Sequence, residues 1–180
     1  IKQYLTHSIL EYMNTRNVHL QLFFDVSRML PVNQVDQVLG WDPLFGKYDG
    51  ITFELFAASH IHSLDMVQVA RNHTNVYPAG MWWLTYRRSQ FLENMQHRIE
   101  ALPACRSTFV ASDARRVEWV YIKLLMQKRV LAEFMEKQVA DGWLTEEEAV
   151  EAARWWLYDS VAALYEGAPC GQTSMSSDGE

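Results

Sequence analysis

Cysteine is scarce in this chain, as are long apolar runs and clustered positive charge. Only two cysteines, Cys105 and Cys170, occur in 180 residues. They cannot build a disulfide framework, and their spacing fits no zinc motif. A reducing, cytoplasmic setting is the expectation that follows. No run approaches the roughly 18 to 20 apolar residues that span a bilayer, and no signal-peptide pattern opens the sequence, so a membrane is not an expected partner. Formal net charge is −6 with no basic block. No face can then neutralise phosphates in number, which argues against nucleic acid as a partner. Glycine-rich phosphate loops of the GxGxxG or P-loop kind are missing, which weakens nucleotide binding. So is a strained nucleophile elbow with Ser–His–Asp partners, which argues against an α/β-hydrolase.

What is present is ordinary for a globular protein: 49% apolar and 21% charged residues, enough for one compact domain or part of a larger one. Helical spacing of apolar residues covers 2–15, 61–72, 86–102 and 116–140. In the last of these, Trp119, Leu124, Leu131, Phe134 and Met135 read as a core stripe. Short β-rich runs cover 17–26 ("NVHLQLFFDV"), 51–59 ("ITFELFAAS"), 74–83 ("TNVYPAGMWW") and 107–111 ("STFVA"). Residues 27–50 hold two prolines and three glycines and read as a long loop with at most a short helix at 33–39. Thr145, followed three residues later by Glu148, is a capping-box signature that opens a final helical region. Residues 1–166 form the expected folded unit, and the polar tail, 167–180, is expected to be disordered.

Four strands separated by helices imply parallel βα units, because parallel neighbours need a crossover. An open doubly wound sheet and part of an eight-stranded barrel both fit. Four units are half of a barrel, and the chain begins at Ile1 rather than Met, so the expectation is the C-terminal half of a longer product. Half a barrel would leave two edge strands and its interior uncovered. The isolated chain is therefore expected to dimerise, aggregate or need a missing half.

Candidate chemistry gathers at strand ends. "SDAR" closes the fourth run: Asp113 could serve as a general base, bind a divalent metal, or merely cap the helix that follows. Arg115 could grip a substrate carboxylate with two parallel hydrogen bonds, or be solvated. "GMWW" closes the third run, and its Trp82 and Trp83 could wall a pocket or fill the core. "SHIH" resembles a metal-binding HxH, but its second histidine already enters a helix, so the two rings should diverge. His60 alone could still touch substrate, and Arg28, just after the first run, could face an anion or lie in solvent.

"GMWW" at a strand end, then "SDAR" about thirty residues on at the start of a long helix, resembles the uronate (glucuronate) isomerase family of the amidohydrolase superfamily. "ADGWLTEEEA" fits the same region, and the similarity runs from about Asn17 to Tyr165. The resemblance implies the C-terminal half of a distorted (β/α)8 barrel, strands five to eight, with extra C-terminal helices. It implies interconversion of D-glucuronate with D-fructuronate and of D-galacturonate with D-tagaturonate, and a homo-oligomer as the assembly. Asp113 would then be the strand-eight carboxylate that contacts the metal and shuttles protons, and Arg115 would bind the substrate carboxylate. Trp83 and, less directly, Trp82 would contact the sugar acid, with His60 and Arg28 aligned loosely to polar positions. A divalent metal such as zinc is implied as a cofactor that is not essential. No strand-one HxH is present to complete its ligands, which would lie upstream of Ile1. Two rivals share the features: a metal-dependent hydrolase or decarboxylase of a small carboxylate, and a non-catalytic partial barrel used as an interaction module.

Overall fold

A computed structural model describes residues 2–24 and 37–166. Helix α1 (Lys2–Asn14) leads into strand β1 (His19–Phe24). After the undescribed stretch come a short helix α2 (Asp42–Lys47), strand β2 (Thr52–Ala57) and helix α3 (His60–Asn72). Strand β3 (Val76–Pro78) follows, and then helices α4 (Arg88–Ala101), α5 (Val117–Ala140), α6 (Glu146–Arg154) and α7 (Ser160–Glu166). The strands form one parallel sheet in the order β1-β2-β3, with Gln21 opposite Glu54 and Glu54 opposite Tyr77.

Strand alternation explains the sheet's two faces. Leu20, Leu22, Phe24, Phe53, Leu55, Ala57 and Val76 share a core with Met66, Val67, Val69 and Ala70 of α3, and with Leu10 of α1. Successive residues on the other face, Gln21, Phe23, Glu54 and Phe56, border a cleft instead. A second core joins Phe91 and Met95 of α4, Phe109 of the segment that follows α4, Leu131 and Phe134 of α5, and Trp156. In it the Phe109 and Trp156 rings stack 5.4 Å apart. A π-helical turn (Trp155–Asp159) joins α6 to α7 and buries Trp155 and Trp156.

Four expectations change. The fourth run is not a ladder strand. Residues 107–111 are extended alongside β3, held by Thr108 N–H to Pro78 O at 3.1 Å and Met81 N–H to Phe109 O at 2.9 Å. The third run contributes only Val76–Pro78 to the sheet, because Pro78 lacks a donor and the chain turns beyond it. The short helix of the 27–50 loop, insofar as it is described, lies at Asp42–Lys47, with Pro43 in its first turn; residues 33–36 lie outside the described part. Trp119 does not join the core stripe, since it is 56% exposed.

Gly80 shows why a glycine follows β3. A Cβ there would meet Val110 C at 2.5 Å and Ala111 N at 2.6 Å, so the 107–111 segment lies backbone to backbone against it. Arg98 reinforces the same junction. It is 1% exposed and donates to Ala79 O, Ser107 Oγ and Thr108 O at 2.8 to 2.9 Å. Burial pushes its pKa down to about 9, so it remains a cation at neutral pH.

The capping box at α6 forms as expected: Thr145 Oγ1 accepts from Glu148 N–H at 3.2 Å, and Thr145 N–H donates to Glu148 Oε2 at 2.8 Å. Thr145→Ala should lower stability by about 1 kcal/mol in chemical denaturation. The Thr145 N–H first, and second the Thr145 hydroxyl, which donates to the same carboxylate at 2.9 Å, hold the Glu148 carboxyl below its ordinary pKa. A depressed carboxylate contributes stability above its unfolded pKa and loses it as pH falls through the folded one, so the cap weakens in acid.

Among the described residues no helix is long and apolar enough to cross a membrane. The tail expected to be disordered, 167–180, lies outside the described residues.

Candidate active site

The cleft on the sheet's second face encloses about 290 Å³ and is walled by β1, β2, Trp82, the 108–113 segment and α7. Asp113 stands at the end of the segment that runs beside β3, the end at which parallel βα folds place ligands. It does not cap the helix: the N-cap of α5 is Arg116, and no side chain bonds there. Its Oδ2 instead accepts from Trp82 Nε1–H at 3.1 Å. Trp82 is 6% exposed while Asp113 itself is exposed, so this charge-assisted bond is only partly shielded from water. Asp113 has φ 42°, in the left-handed region that glycine adopts most easily.

Lys123, on the inward side of α5, donates to Ser112 O. Its ammonium also lies 5.1 Å from the Tyr86 ring centroid. A buried cation is thereby fixed one residue from Asp113, a contact that nothing in the spacing of "SDAR" announced.

Deeper in the cleft is Glu54, 4% exposed in the middle of β2. It accepts from Gln21 Nε2–H at 2.8 Å, from Thr108 Oγ1–H at 3.1 Å and from Tyr165 O–H of α7 at 3.3 Å. His19 Nε2 lies 3.3 Å from the same carboxylate. Burial first, and the Glu54 charge second, raise the Tyr165 pKa, so the phenol keeps the proton it donates. A carboxylate inside an otherwise apolar strand was the available signal, because an acid buried there must find donors.

The other candidates fare differently. Arg115 is exposed, outside the cleft lining, and makes no hydrogen bond or ion pair among the described residues. The backbone of Trp83 opens a short 3₁₀ turn (Trp83–Tyr86), and its side chain lies outside the described residues, as does all of Arg28. His60 is drawn away from the cleft: its Nδ1 pairs with Asn94 Nδ2 at 2.9 Å, and its Nε2 lies 3.2 Å from Glu93. His62 turns to Ser59 Oγ at 3.3 Å, so the "SHIH" rings diverge.

Among the described residues no group of three or more His, Cys, Asp or Glu could hold a metal, and the Asp113 carboxylate is engaged by an indole. Alone, these residues do not make up a metal centre.

No protein-family model and no curated protein sequence matches the chain. Among solved structures it is similar to the uronate isomerase of Thermotoga maritima, with a TM-score of 0.74 and 17% identity over 90% of this chain and 40% of that one. It is also similar to a uronate isomerase from Bacillus halodurans C-125, with a TM-score of 0.70 and 20% identity over 88% of this chain and 40% of that one. The chain thus spans 40% of the length of either relative. What it shares with them is the fold: a mixed α/β arrangement around a parallel sheet, matching part of the uronate isomerase structure.

Proposed function

We propose that this chain supplies the strand-five-to-eight half of a (β/α)8 uronate isomerase and that Asp113 carries its proton transfer. On this reading β1, β2, β3 and the 107–111 segment correspond to those four strands. The substrates are D-glucuronate and D-galacturonate, and the products D-fructuronate and D-tagaturonate. The observation that carries the reading is the Trp82–Asp113 hydrogen bond at the strand-end mouth of the cleft.

Isomerisation of an open-chain uronate removes the proton from C2 and returns one to C1, while the O2 hydroxyl proton moves to O1. One carboxylate can take and return the carbon-bound proton through an enediol. The Trp82 N–H holds that carboxylate in place, and Lys123 fixes the Ser112 carbonyl beside it. Arg115, two residues beyond Asp113 and exposed outside the cleft lining, would have to turn in toward the mouth to receive the remote substrate carboxylate. That grip would fix the carbon chain relative to the base.

The test is incubation of the chain, joined to the N-terminal half that this reading requires, with D-glucuronate and with D-galacturonate while keto-acid formation is followed by NMR. Trp82→Phe, which keeps the bulk and removes the donor, should lower kcat by about ten- to a hundredfold with little change in KM. Absence of keto acid from both uronates would set the isomerase reading aside.

A further inference from the structure

Phe23 is the exposed member of an aromatic group in the cleft. It stands opposite Phe56 in the β1–β2 register, and the two rings stack 4.6 Å apart with 8° between their planes. Trp82 meets Phe23 nearly at right angles, 5.7 Å away. Phe56 and Trp82 are buried, whereas Phe23 is 50% exposed. All three line the same cleft as Asp113.

The layer beneath them is polar and already paired. Two residues back along the same strands, Gln21 donates to Glu54 at 2.8 Å and to the Tyr165 hydroxyl at 2.9 Å, and Thr108 donates to Glu54. The Phe23 ring therefore stands above a finished layer, at the strand ends where parallel βα folds hold ligands. An exposed aromatic ring beside a carboxylate, in a cleft of about 290 Å³, suits one sugar ring. A pyranose presents axial C–H bonds on its face, apolar and slightly positive, and these fit the negative face of an aromatic ring. Its hydroxyls project from the rim, where a carboxylate can accept from them.

We propose that the Phe23–Phe56 stack binds the hexuronate in its closed pyranose form, with the C1, C3 and C5 hydrogens laid against Phe23. The inference rests on the isomerase reading for the identity of the sugar, and adds the form in which that sugar is first held. An aldohexuronate in water is almost wholly the cyclic hemiacetal, so a cleft restricted to the open chain would bind only a small fraction of its substrate. Glucuronate and galacturonate differ at C4 alone. In the β-pyranose of either, the C1, C3 and C5 hydrogens lie axial on one face, so one platform serves both epimers. The opposite face carries the axial C4 hydroxyl of galacturonate, which an aromatic ring would leave unpaired. The Asp113 charge opposes the sugar's own carboxylate and so favours the C1 end toward itself. Opening then breaks C1–O5 and forms the C1 carbonyl as the O1 proton passes to O5, with nothing gained or lost.

Methyl β-D-glucuronide provides the test, because its C1 is locked as an acetal and the ring cannot open. Saturation-transfer NMR on the chain joined to the N-terminal half should show the glycoside bound, with saturation concentrated on the C1, C3 and C5 hydrogens. Phe23→Leu should raise its dissociation constant about three- to tenfold. Phe23→Trp, which keeps a ring, should hold it within about threefold of wild type. In turnover of D-glucuronate, Phe23→Leu should raise KM and leave kcat nearly unchanged. Phe23 is exposed, so unchanged thermal melts serve as the folding control. Failure of the joined protein to bind the glycoside overturns the inference, whether or not keto acid forms. So does binding that Phe23→Leu leaves unaltered, or saturation spread evenly around the ring. So does binding by the isolated chain that is lost on joining, which would make Phe23 part of a core that the other half covers. Glycoside bound through Phe23 without keto acid from either uronate would sustain the platform and set aside the isomerase reading alone.

Discussion

Asp113→Asn is expected to lower turnover of D-glucuronate about a thousandfold, the scale at which a positioned acid–base group contributes, and to leave the fold standing. Asparagine is nearly isosteric and keeps an oxygen to accept the Trp82 N–H, the one side-chain bond described for Asp113. It also tolerates a left-handed backbone better than most residues, as φ 42° requires. What it loses is the ability to take a proton from carbon. The check is a paired measurement of initial keto-acid rate and thermal melt on the same preparation. A variant that melts like wild type and turns over within a few-fold of it would remove Asp113 from the chemistry.

The second large effect concerns stability. Arg98→Met should destabilise the chain by about 1 to 3 kcal/mol, read as a lower urea midpoint. The guanidinium stands where a ladder would otherwise join β3 to the 107–111 segment, bonding Ala79 O, Ser107 Oγ and Thr108 O. Methionine fills much of the same volume, so a cavity is not the cause of the loss. Its cause is the stranding of buried acceptors. Arg98→Lys should fall between the two, because an ammonium keeps the charge but not the planar reach to all three acceptors. A midpoint unchanged in Arg98→Met would show that backbone bonds and the Gly80 approach suffice alone.

Much of this architecture was readable from periodicity. The helices came within a residue or two of their limits, because a 3.6-residue apolar spacing persists over three or more turns in α3, α4 and α5. β1 and β2 were legible as apolar runs bounded by polar or turn residues. The fourth run misled for a specific reason: "STFVA" has strand propensity, but its pairing was decided by Gly80, Pro78 and Arg98, residues distant in sequence. Trp119 misled in the opposite sense. An aromatic residue at helical spacing looks like core, and only packing shows which face of α5 meets α4 and α6. At the site, the sequence pointed to Asp113 and the tryptophans but left the cap reading open, and geometry decided it by giving the carboxylate to Trp82. Gln21, Tyr165 and Lys123 escaped because each is unremarkable locally, whereas Glu54 carried a signal, a carboxylate in an apolar strand, that went unread. Their roles arise from register, from α7 returning to the sheet, and from the inward side of α5.

Glycine at position 113 would suit the turn better than aspartate does, by about 1 kcal/mol for an L-residue held at positive φ. A protein that needed only to reverse its chain there would gain by losing the side chain. Keeping a carboxylate under that conformational load gives the position two separable quantities, a backbone cost and a chemical use. Asp113→Gly would relieve the first while deleting the second, so at this one residue greater stability and lost function should arrive together.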